Sequence, residues 1–413
     1  MGKSIHKKLR HLGAFAAAGA TGAAAAAYAW HYCALCKAPE LVFQDSPLSR
    51  LVLARCPALV QAYCPTFWAT NAHVQTLLCV LRGKLMSPGY ARQKLTTPDG
   101  GTIALDWFRG CDEPGALPIT APVLLVLHGL TGGSREGYCK LICAAAAAKG
   151  WRAVVLNYRG CAGLPMTSPR CYSAAFTDDV HQAVCEVRQR FPGAPIVAAA
   201  YSLGAVILTK YLAEADTGHW PGEGSGIAGA ALVSNPLCLH ASSAALSRPW
   251  TLPYLYNLGL ALRLRQYLRE HSSALASHVQ VDPGTEAWTI SHFDETVVCR
   301  LFGYEDVHEY YHDSSSQNYI PFVRTPALFL VSADDPFLGR LPRAECAANP
   351  HTLLAVTPRG GHVAFLEGAW PFGRAWMDTA VTQFLDACLQ GASELRPERG
   401  GSIAGEAPGL ARM

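Results

Sequence analysis

Short apolar runs alternate with helix-length segments along most of the chain, and this alternation predicts a layered α/β fold. Runs of four to six mostly apolar residues are typical of parallel strands that are buried on both faces. The helix-length segments between them indicate βαβ units and a doubly wound, mostly parallel sheet. The predicted strands are 123–127, 153–158, 195–200, 230–234, 327–331 and 353–356.

Other segments differ from this pattern and set the predicted organisation of the chain. Residues 93–97 and 102–108 flank Pro98-Asp99-Gly100-Gly101, a turn signal that predicts an antiparallel hairpin at the edge of the sheet. The segment 237–325 is too long for a loop and is rich in Leu, Tyr and Trp, so we expect a helical cap with an amphipathic helix at 252–268. The predicted domains are an N-terminal segment 1–36, an extension 37–92 beside the sheet, the α/β domain 93–393 that contains the cap, and a disordered tail 394–413.

The N-terminal segment contains a stretch that could enter a membrane. Residues 12–36 lack Asp, Glu, Lys and Arg, and they follow Lys3, Lys7, Lys8 and Arg10. A helix of this length can cross a bilayer, although about half of the stretch is Ala and the drive to insert is therefore modest. An uncleaved signal anchor, a cleaved targeting peptide and a surface helix all fit this pattern.

Composition is that of an ordinary folded enzyme. Half of the residues are apolar and 16% are charged, which supplies one large core. The net charge of +3 and the absence of a basic stripe with interleaved aromatics argue against nucleic-acid binding. The 15 cysteines show no repeated metal-ligand spacing, so Cys33 and Cys36 beside the apolar stretch favour acylation over zinc binding. No obligate protein partner is evident.

Ser202 carries the strongest chemical signal in the chain. It follows a predicted strand, precedes a helix-like segment, and lies between Ala200 and Gly204. A tight turn from strand to helix holds a serine hydroxyl clear of the sheet, within reach of a base, and small flanking residues permit close backbone approach. The pattern predicts a nucleophile elbow.

A carboxylate and a histidine follow Ser202 in the order expected of a serine hydrolase. Asp334 and Asp335 end the strand 327–331, and His362 follows the strand 353–356 and a Gly-Gly turn. Only one of two adjacent carboxylates can face the histidine. The predicted reaction is ester hydrolysis through an acyl-enzyme, which needs no metal or organic cofactor.

The glycine-rich segment after strand 123–127 predicts the oxyanion hole. The backbone N–H groups of Leu203 and Leu130 are its expected donors. His128 is interpreted as a support for this loop rather than a base. His308 and Asp313 have a spacing found in some acyltransferases, but it is more typical of a cap helix.

These motifs resemble the α/β-hydrolase-domain proteins of the group that contains mammalian α/β-hydrolase domain proteins 1 and 3 and the yeast medium-chain ester synthases and esterases. The resemblance covers about residues 60–390, and this chain has Ala200 and Ala205 where the family usually has glycine. It implies an α/β-hydrolase fold, Asp335 as the acid, and lipid-like substrates such as phospholipids, acylglycerols or medium-chain esters. It also implies a single-pass, type II endomembrane protein anchored through residues 12–36. The matching segments are 71–77, 128–134, 157–160, 302–304, 310–311 and 360–368.

Three functions fit the motifs. The first is hydrolysis of a lipid-like ester. The second is transfer of the acyl group to an alcohol by the same three residues. The third is a catalytically silent scaffold, and Ala200 is the feature that favours it.

Overall fold

A nine-stranded sheet forms the centre of the molecule in the part of the chain that the structure describes. This computed structural model describes residues 32–84, 86–109, 117–222, 224–276, 278–279 and 281–391, with positions 22, 26, 29 and 30. The spatial order is β1-β9-β8-β7-β6-β4-β5-β3-β2. The strands are β1 (Glu40–Phe43), β2 (Tyr90–Thr96), β3 (Thr102–Phe108), β4 (Val123–Leu127), β5 (Arg152–Asn157), β6 (Ile196–Tyr201), β7 (Gly229–Val233), β8 (Ala327–Ser332) and β9 (Thr352–Thr357).

The mostly parallel sheet predicted from the apolar runs is confirmed. Strands β4 to β9 pair in parallel, and every residue of these six strands is buried. Burial on both faces explains why they are continuous apolar runs in the sequence. The predicted hairpin is β2 and β3, which pair from Tyr90 opposite Phe108 to Thr96 opposite Thr102.

Helices cover both faces of the sheet, so the doubly wound arrangement is also confirmed. On one face, Ile142 and Phe384 pack in a core with Leu124 of β4. On the other face, Val184 and Leu208 pack in a core with further strand residues. The helices of these two layers are α4 (Gly137–Ala147), α5 (Asp178–Arg190), α6 (Leu203–Asp216), α14 (Arg343–Ala348) and α15 (Trp376–Gln390).

The segment between β7 and β8 is helical and has a core of its own. That core includes Leu264, Leu268, Phe293 and Val297, and it meets Val206 of α6. The predicted amphipathic helix at 252–268 is observed as α8 (Leu252–Glu270). The elements of this cap are α7 (Leu239–Leu246), α8 (Leu252–Glu270), α9 (Ser272–Leu275), α10 (Val281–Thr285), α11 (Ile290–Phe293), a π-helical turn (Asp294–Val298), α12 (Cys299–Phe302), α13 (Val307–Ser314) and two 3₁₀ turns (Ser316–Asn318 and Ile320–Phe322).

The N-terminal extension does more than lie beside the sheet. It contributes β1, which the sequence pattern does not predict and which pairs antiparallel with β9 at the edge. A disulfide joins Cys36 to Cys64, and a sulfur in a disulfide cannot carry an acyl group. The predicted acylation is therefore wrong for Cys36. The helices of the extension are α1 (Pro47–Arg55), α2 (Pro57–Val60) and α3 (Ala72–Cys79).

Two predicted terminal segments fall mainly outside the described residues. The membrane-anchor-like stretch 12–36 is described only at positions 22, 26, 29, 30 and 32–36, and the tail 394–413 is not described. Within the described ranges, no helix combines the length and apolarity that a bilayer crossing requires.

Candidate active site

Ser202 occupies a strained turn between β6 and α6. Its backbone angles are φ 54° and ψ −121°, a combination that L-residues rarely adopt. Gly204, the second residue of α6, lies so close to β4 that an added Cβ would be 2.8 Å from the Leu127 carbonyl oxygen and 2.6 Å from that of His128. Glycine is therefore required at position 204. The side chain of Ala200 is fully buried on β6 beside Leu127.

The structure brings the predicted histidine and one of the two predicted carboxylates to Ser202. His362 Nε2 lies 2.9 Å from Ser202 Oγ, and His362 Nδ1 lies 2.9 and 3.0 Å from the carboxylate oxygens of Asp335. The Phe337 backbone N–H donates to Asp335 Oδ1 at 2.8 Å. This continuous chain of hydrogen bonds can move a proton from the hydroxyl to the imidazole while a buried carboxylate stabilises the resulting charge.

Asp334 faces other groups. Its Oδ1 accepts hydrogen bonds from the Gly361 N–H at 3.0 Å and from the Ser332 hydroxyl. It therefore shapes the turn that carries His362 and does not contact the imidazole in the described hydrogen bonds. Ser332 is committed to this contact, and Ser234 Oγ accepts the N–H of Val363, so neither serine is placed as a nucleophile.

The loop that carries His362 rests against helix α3 of the N-terminal extension. Thr76 Oγ1 accepts the His362 N–H at 3.0 Å and donates to the Ala72 carbonyl at 2.8 Å. Gly361 has φ +60°, and a Cβ there would lie 2.6 Å from the Ala72 carbonyl oxygen. Two motifs almost 290 residues apart, 71–77 and 360–368, thus meet to position the histidine.

The glycine-rich loop after β4 is held on both sides of Leu130. The Gly129 N–H donates to the Tyr138 hydroxyl, and the Thr131 N–H donates to the Tyr172 hydroxyl, each at 3.0 Å. Among the described hydrogen bonds, neither the Leu130 nor the Leu203 N–H has a protein acceptor. Both residues line the cavity beside Ser202. Such a pair of N–H groups can stabilise an oxyanion.

His128 supports that loop, as its position in the sequence predicts. It is fully buried, and its Nδ1 lies 2.8 Å from the Gly129 carbonyl oxygen. Burial lowers the pKa of His128 to about 4, so the ring is neutral near pH 7.

The His308 and Asp313 pair does not form a site. Asp313 accepts hydrogen bonds from Lys210 and from the hydroxyls of Tyr304 and Tyr319. The His308 ring instead packs on that of His240, with ring centroids 4.3 Å apart.

An apolar cavity of about 930 Å³, including its mouth, lies between the cap and the strand ends. Ser202, Leu203 and Leu130 line one part, and cap side chains line the rest. Its wall is mainly aliphatic and aromatic, which suits a hydrocarbon chain. Within the described ranges, no cluster of three His, Cys, Asp or Glu side chains is arranged to hold a metal ion. The cap residues of the wall include Leu239, Leu246, Leu260, Leu264, Tyr267, Phe293, Val298, Tyr310 and Tyr311.

Sequence reasoning missed several residues that hold the site in place. The Phe337 ring stacks on His362 with centroids 4.1 Å apart, and Phe337 also lines the cavity. Its position two residues after Asp335 is a usable signal, because strand ends supply site residues in α/β sheets. The hydroxyls of Tyr138 and Tyr172 give no local sequence signal. Thr76 lies in the matching segment 71–77, but nothing in that segment shows that its side chain contacts the loop of His362.

Comparisons with known proteins agree with this architecture. The family described as "alpha/beta hydrolase fold" matches residues 122–369. Phospholipase ABHD3 of Mus musculus is 33% identical over 375 residues, which is 89% of this chain and 89% of that protein. A monoacylglycerol lipase of Saccharomyces cerevisiae is 35% identical over 271 residues, which is 64% of this chain and 59% of that protein.

Among solved structures, the esterase Pf2001 of Pyrococcus furiosus is similar with a TM-score of 0.46 and 16% identity, over 72% of this chain and 90% of that chain. The family match spans more than half of the chain, and the relative from Mus musculus matches almost all of it. The resemblance inferred from the sequence motifs is thereby confirmed. The chain is a carboxylic ester hydrolase that belongs to the α/β-hydrolase family.

Proposed function

We propose that Ser202, His362 and Asp335 form the catalytic triad of a serine hydrolase that cleaves lipid-like carboxylic esters. The observation that carries the proposal is the unbroken line of hydrogen bonds from Asp335 through His362 to Ser202, which ends at an apolar cavity. Other strand-end serines are engaged elsewhere, which leaves Ser202 as the candidate nucleophile.

In the proposed reaction, His362 Nε2 takes the proton of Ser202 Oγ as that oxygen attacks the ester carbonyl. Asp335 keeps the imidazole oriented and stabilises its positive charge. The N–H groups of Leu130 and Leu203 bind the oxyanion, and each such donor contributes about 3 kcal/mol to transition-state stabilisation. The alcohol then leaves with the proton from His362, and water releases the acyl group.

The proposed substrates are phospholipids, acylglycerols or medium-chain esters. The aliphatic and aromatic wall of the cavity supports this choice, since it can take up an acyl chain. The names of the relatives from Mus musculus and Saccharomyces cerevisiae, a phospholipase and a monoacylglycerol lipase, point to the same substrate class.

Labelling with a fluorophosphonate probe tests the triad. We expect the purified wild-type protein to be labelled and Ser202→Ala to be unlabelled. Ser173→Ala is the matched control, because Ser173 also lines the cavity and its buried hydroxyl has no described hydrogen-bond partner. Unlabelled but folded wild type would contradict the triad. Labelled wild type can then be assayed on esters of graded chain length.

Acyl transfer is the alternative reaction of the same triad. The largely apolar wall, which disfavours water, is the observation that supports it. Product analysis with an added medium-chain alcohol distinguishes the two reactions. Free fatty acid as the main product means hydrolysis, and a new ester as the main product means transfer.

Membrane anchoring through residues 12–36 is a separate proposal. Its support is the uncharged stretch behind a basic N-terminus, which also predicts that the short end faces the cytosol in a type II orientation. We expect the expressed full chain to stay with membranes through an alkaline carbonate wash and a chain without residues 1–31 to be released. Release of both would contradict an anchor, and a shortened mature N-terminus would indicate a cleaved peptide.

A further inference from the structure

An acidic side chain lies in the wall of the otherwise apolar cavity. Asp294 begins the π-helical turn of the cap, and it lines the cavity beside Phe293 and Val298. Only 9% of the residue is exposed. The proposed catalytic reaction does not use it. π-Helical turns are rare and often occur at functional positions, so this carboxyl needs an explanation.

Asp294 has one described side-chain partner. Its Oδ2 lies 2.9 Å from the Tyr311 hydroxyl, and no described hydrogen bond engages Oδ1. No salt bridge to Lys, Arg or His is described for this carboxyl among the ion pairs of the resolved ranges. A buried carboxyl without a cationic partner is costly unless something else satisfies its oxygens.

Neighbouring polar groups of the wall are engaged by the protein itself. Asn257 donates to the Leu246 carbonyl at 3.2 Å and accepts the Ile290 N–H at 2.8 Å. The Tyr310 hydroxyl accepts the Ala174 N–H at 2.9 Å. Asp294 Oδ1 and the Ser173 hydroxyl are therefore cavity-wall oxygens with capacity left for a bound molecule, and Asp294 is the one whose side chain is acidic.

The environment of Asp294 also limits what it can bind. Burial raises the pKa of Asp294 to about 7, so acid and carboxylate forms coexist near neutral pH. A hydroxyl group can donate a hydrogen bond to the carboxylate or accept one from the acid, so it matches both forms. An ammonium group matches only the carboxylate. A plain hydrocarbon group matches neither and leaves a buried polar group unpaired.

We propose that Asp294, held in place by Tyr311, binds a hydroxyl group of the substrate and so makes the cavity select hydroxyl-bearing esters over plain alkyl esters of the same fatty acid. This inference rests on the proposed ester hydrolysis at Ser202. It adds a specificity-determining residue that lies outside the triad and belongs to the cap.

The test compares glyceryl, ethyl and choline esters of one medium-chain fatty acid by kcat/KM. We expect wild type to prefer the glyceryl over the ethyl ester. In Asp294→Leu, which keeps the branching and the number of heavy atoms of the side chain, the glyceryl-to-ethyl ratio should fall roughly 10- to 100-fold because the hydroxyl loses its partner. The ethyl ester should be cleaved at least as well as by wild type. Asp294→Asn, which keeps a polar group, should lie between them. Glu286→Gln, a change at an exposed glutamate that is not among the lining residues of the cavity, should keep the wild-type ratio.

Other results would overturn the inference. An unchanged glyceryl-to-ethyl ratio in both Asp294 variants would show that the carboxyl does not bind the substrate hydroxyl. Equal loss on all three esters would indicate a purely structural link between the π-helical turn and α13. Loss confined to the choline ester would indicate a site for a cationic group instead. If folded wild type cleaves none of the esters and takes up no fluorophosphonate, the proposed hydrolysis itself fails, whereas labelled wild type with an unchanged ratio removes only the role of Asp294.

Discussion

Asp334 and Asp335 are adjacent carboxylates that the backbone directs to different tasks. Asp335 contacts the imidazole of His362, whereas Asp334 accepts the N–H of Gly361 and the hydroxyl of Ser332. One carboxylate thus contacts the histidine of the proposed triad, and the other fixes the turn behind it. The difference between them is set by chain direction at the end of β8 and not by residue type.

Replacing each carboxylate by its amide tests this division. We expect Asp335→Asn to lower kcat roughly 10⁴-fold with little change in KM, because an amide cannot stabilise the imidazolium. Asp334→Asn keeps an acceptor oxygen for Gly361, and its kcat should stay within about tenfold of wild type. Steady-state kinetics on a soluble chromogenic ester measures both, with fluorescence-detected melting as a control for folding. Equal losses in the two variants would contradict the assignment.

At this scale the sequence predicts which residues of the proposed triad lie together, but it does not predict the residues that surround them. Ser202, His362 and the Asp334-Asp335 pair follow apolar strands, and strand ends are where α/β sheets place site residues. The contacts of Thr76 and Tyr138 are not predicted by the same analysis, because they depend on which distant backbone each side chain faces, even though Thr76 lies in the matching segment 71–77. Asp294 lies in a segment without clear periodicity, so no pattern places it in the cavity.

Among the elements, α3 and the loop of His362 approach each other so closely that a side chain is excluded. The Cβ of any residue at position 361 would meet the backbone carbonyl of Ala72, which cannot move without shifting the helix. Gln75 on the same helix accepts the Leu366 N–H at 3.0 Å and adds a second link. The extension therefore acts as a support for the histidine.

Gly361→Ala and Gly368→Ala separate close approach from backbone strain. Both glycines have positive φ, +60° and +74°, but only position 361 has atoms within 4 Å of the added Cβ. We expect the two variants to share a strain cost, and Gly361→Ala to lose about 1–3 kcal/mol more of unfolding free energy. It should also lose activity, because the clash displaces His362. Urea unfolding and ester kinetics measure these effects, and equal destabilisation would refute the close-contact argument.

The sequence predicts some elements better than others, because only some kinds of packing leave a local pattern in the chain. The six parallel strands are buried on both faces, so each of them is a continuous run of mostly apolar residues in the sequence. Strand β1 has only four residues, one of them the exposed Glu40, and its existence depends on pairing with β9. Pairing between distant segments leaves no local signal in the sequence. The π-helical turn likewise leaves no periodic pattern that would predict it.

Over the whole molecule, a buried polar network ties the cap to the main domain. Lys210 of α6 lies 2.8 Å from both oxygens of Asp313 on α13, and Glu214 lies one turn further along α6. Glu214 accepts the Thr177 hydroxyl at 2.5 Å. The helix that follows Ser202 thus carries the residues whose contacts fix the cap.

Glu214 gives this network a dependence on pH. Burial raises the pKa of Glu214 to about 7 from its ordinary value of 4.5. The folded state then binds the proton more tightly than the unfolded state, so the contribution to stability is present at low pH and is lost as pH rises through about 7. Between about pH 5 and pH 8 the loss is about 2 kcal/mol.

The corresponding measurement compares Glu214→Gln, which cannot ionise, with wild type. We expect the variant to gain about 2 kcal/mol of unfolding free energy relative to wild type as the pH is raised over this range. Glu286→Gln, a change at an exposed glutamate, is the control and should follow the wild-type profile. Parallel profiles for wild type and Glu214→Gln would contradict the raised pKa.

Sequence length and composition predict that a cap exists, because a 90-residue insertion cannot remain a loop. They do not predict which face of α8 closes the cavity. Leu264 packs inward, whereas Leu255 is exposed, and both belong to one nearly uniform apolar pattern. Packing against the main domain decides between them.

The pairing of β1 with β9 sets a limit on how the chain can be shortened for laboratory work. A form that starts after Phe43 would leave the backbone N–H and C=O groups of β9 open along one side, and such an edge readily captures a strand from another molecule. The same cut would leave Cys64 without Cys36 and expose a thiol. A fragment that keeps both β1 and the disulfide must therefore begin upstream of Cys36. It then retains the end of the apolar stretch 12–36, which would otherwise be the first segment to remove.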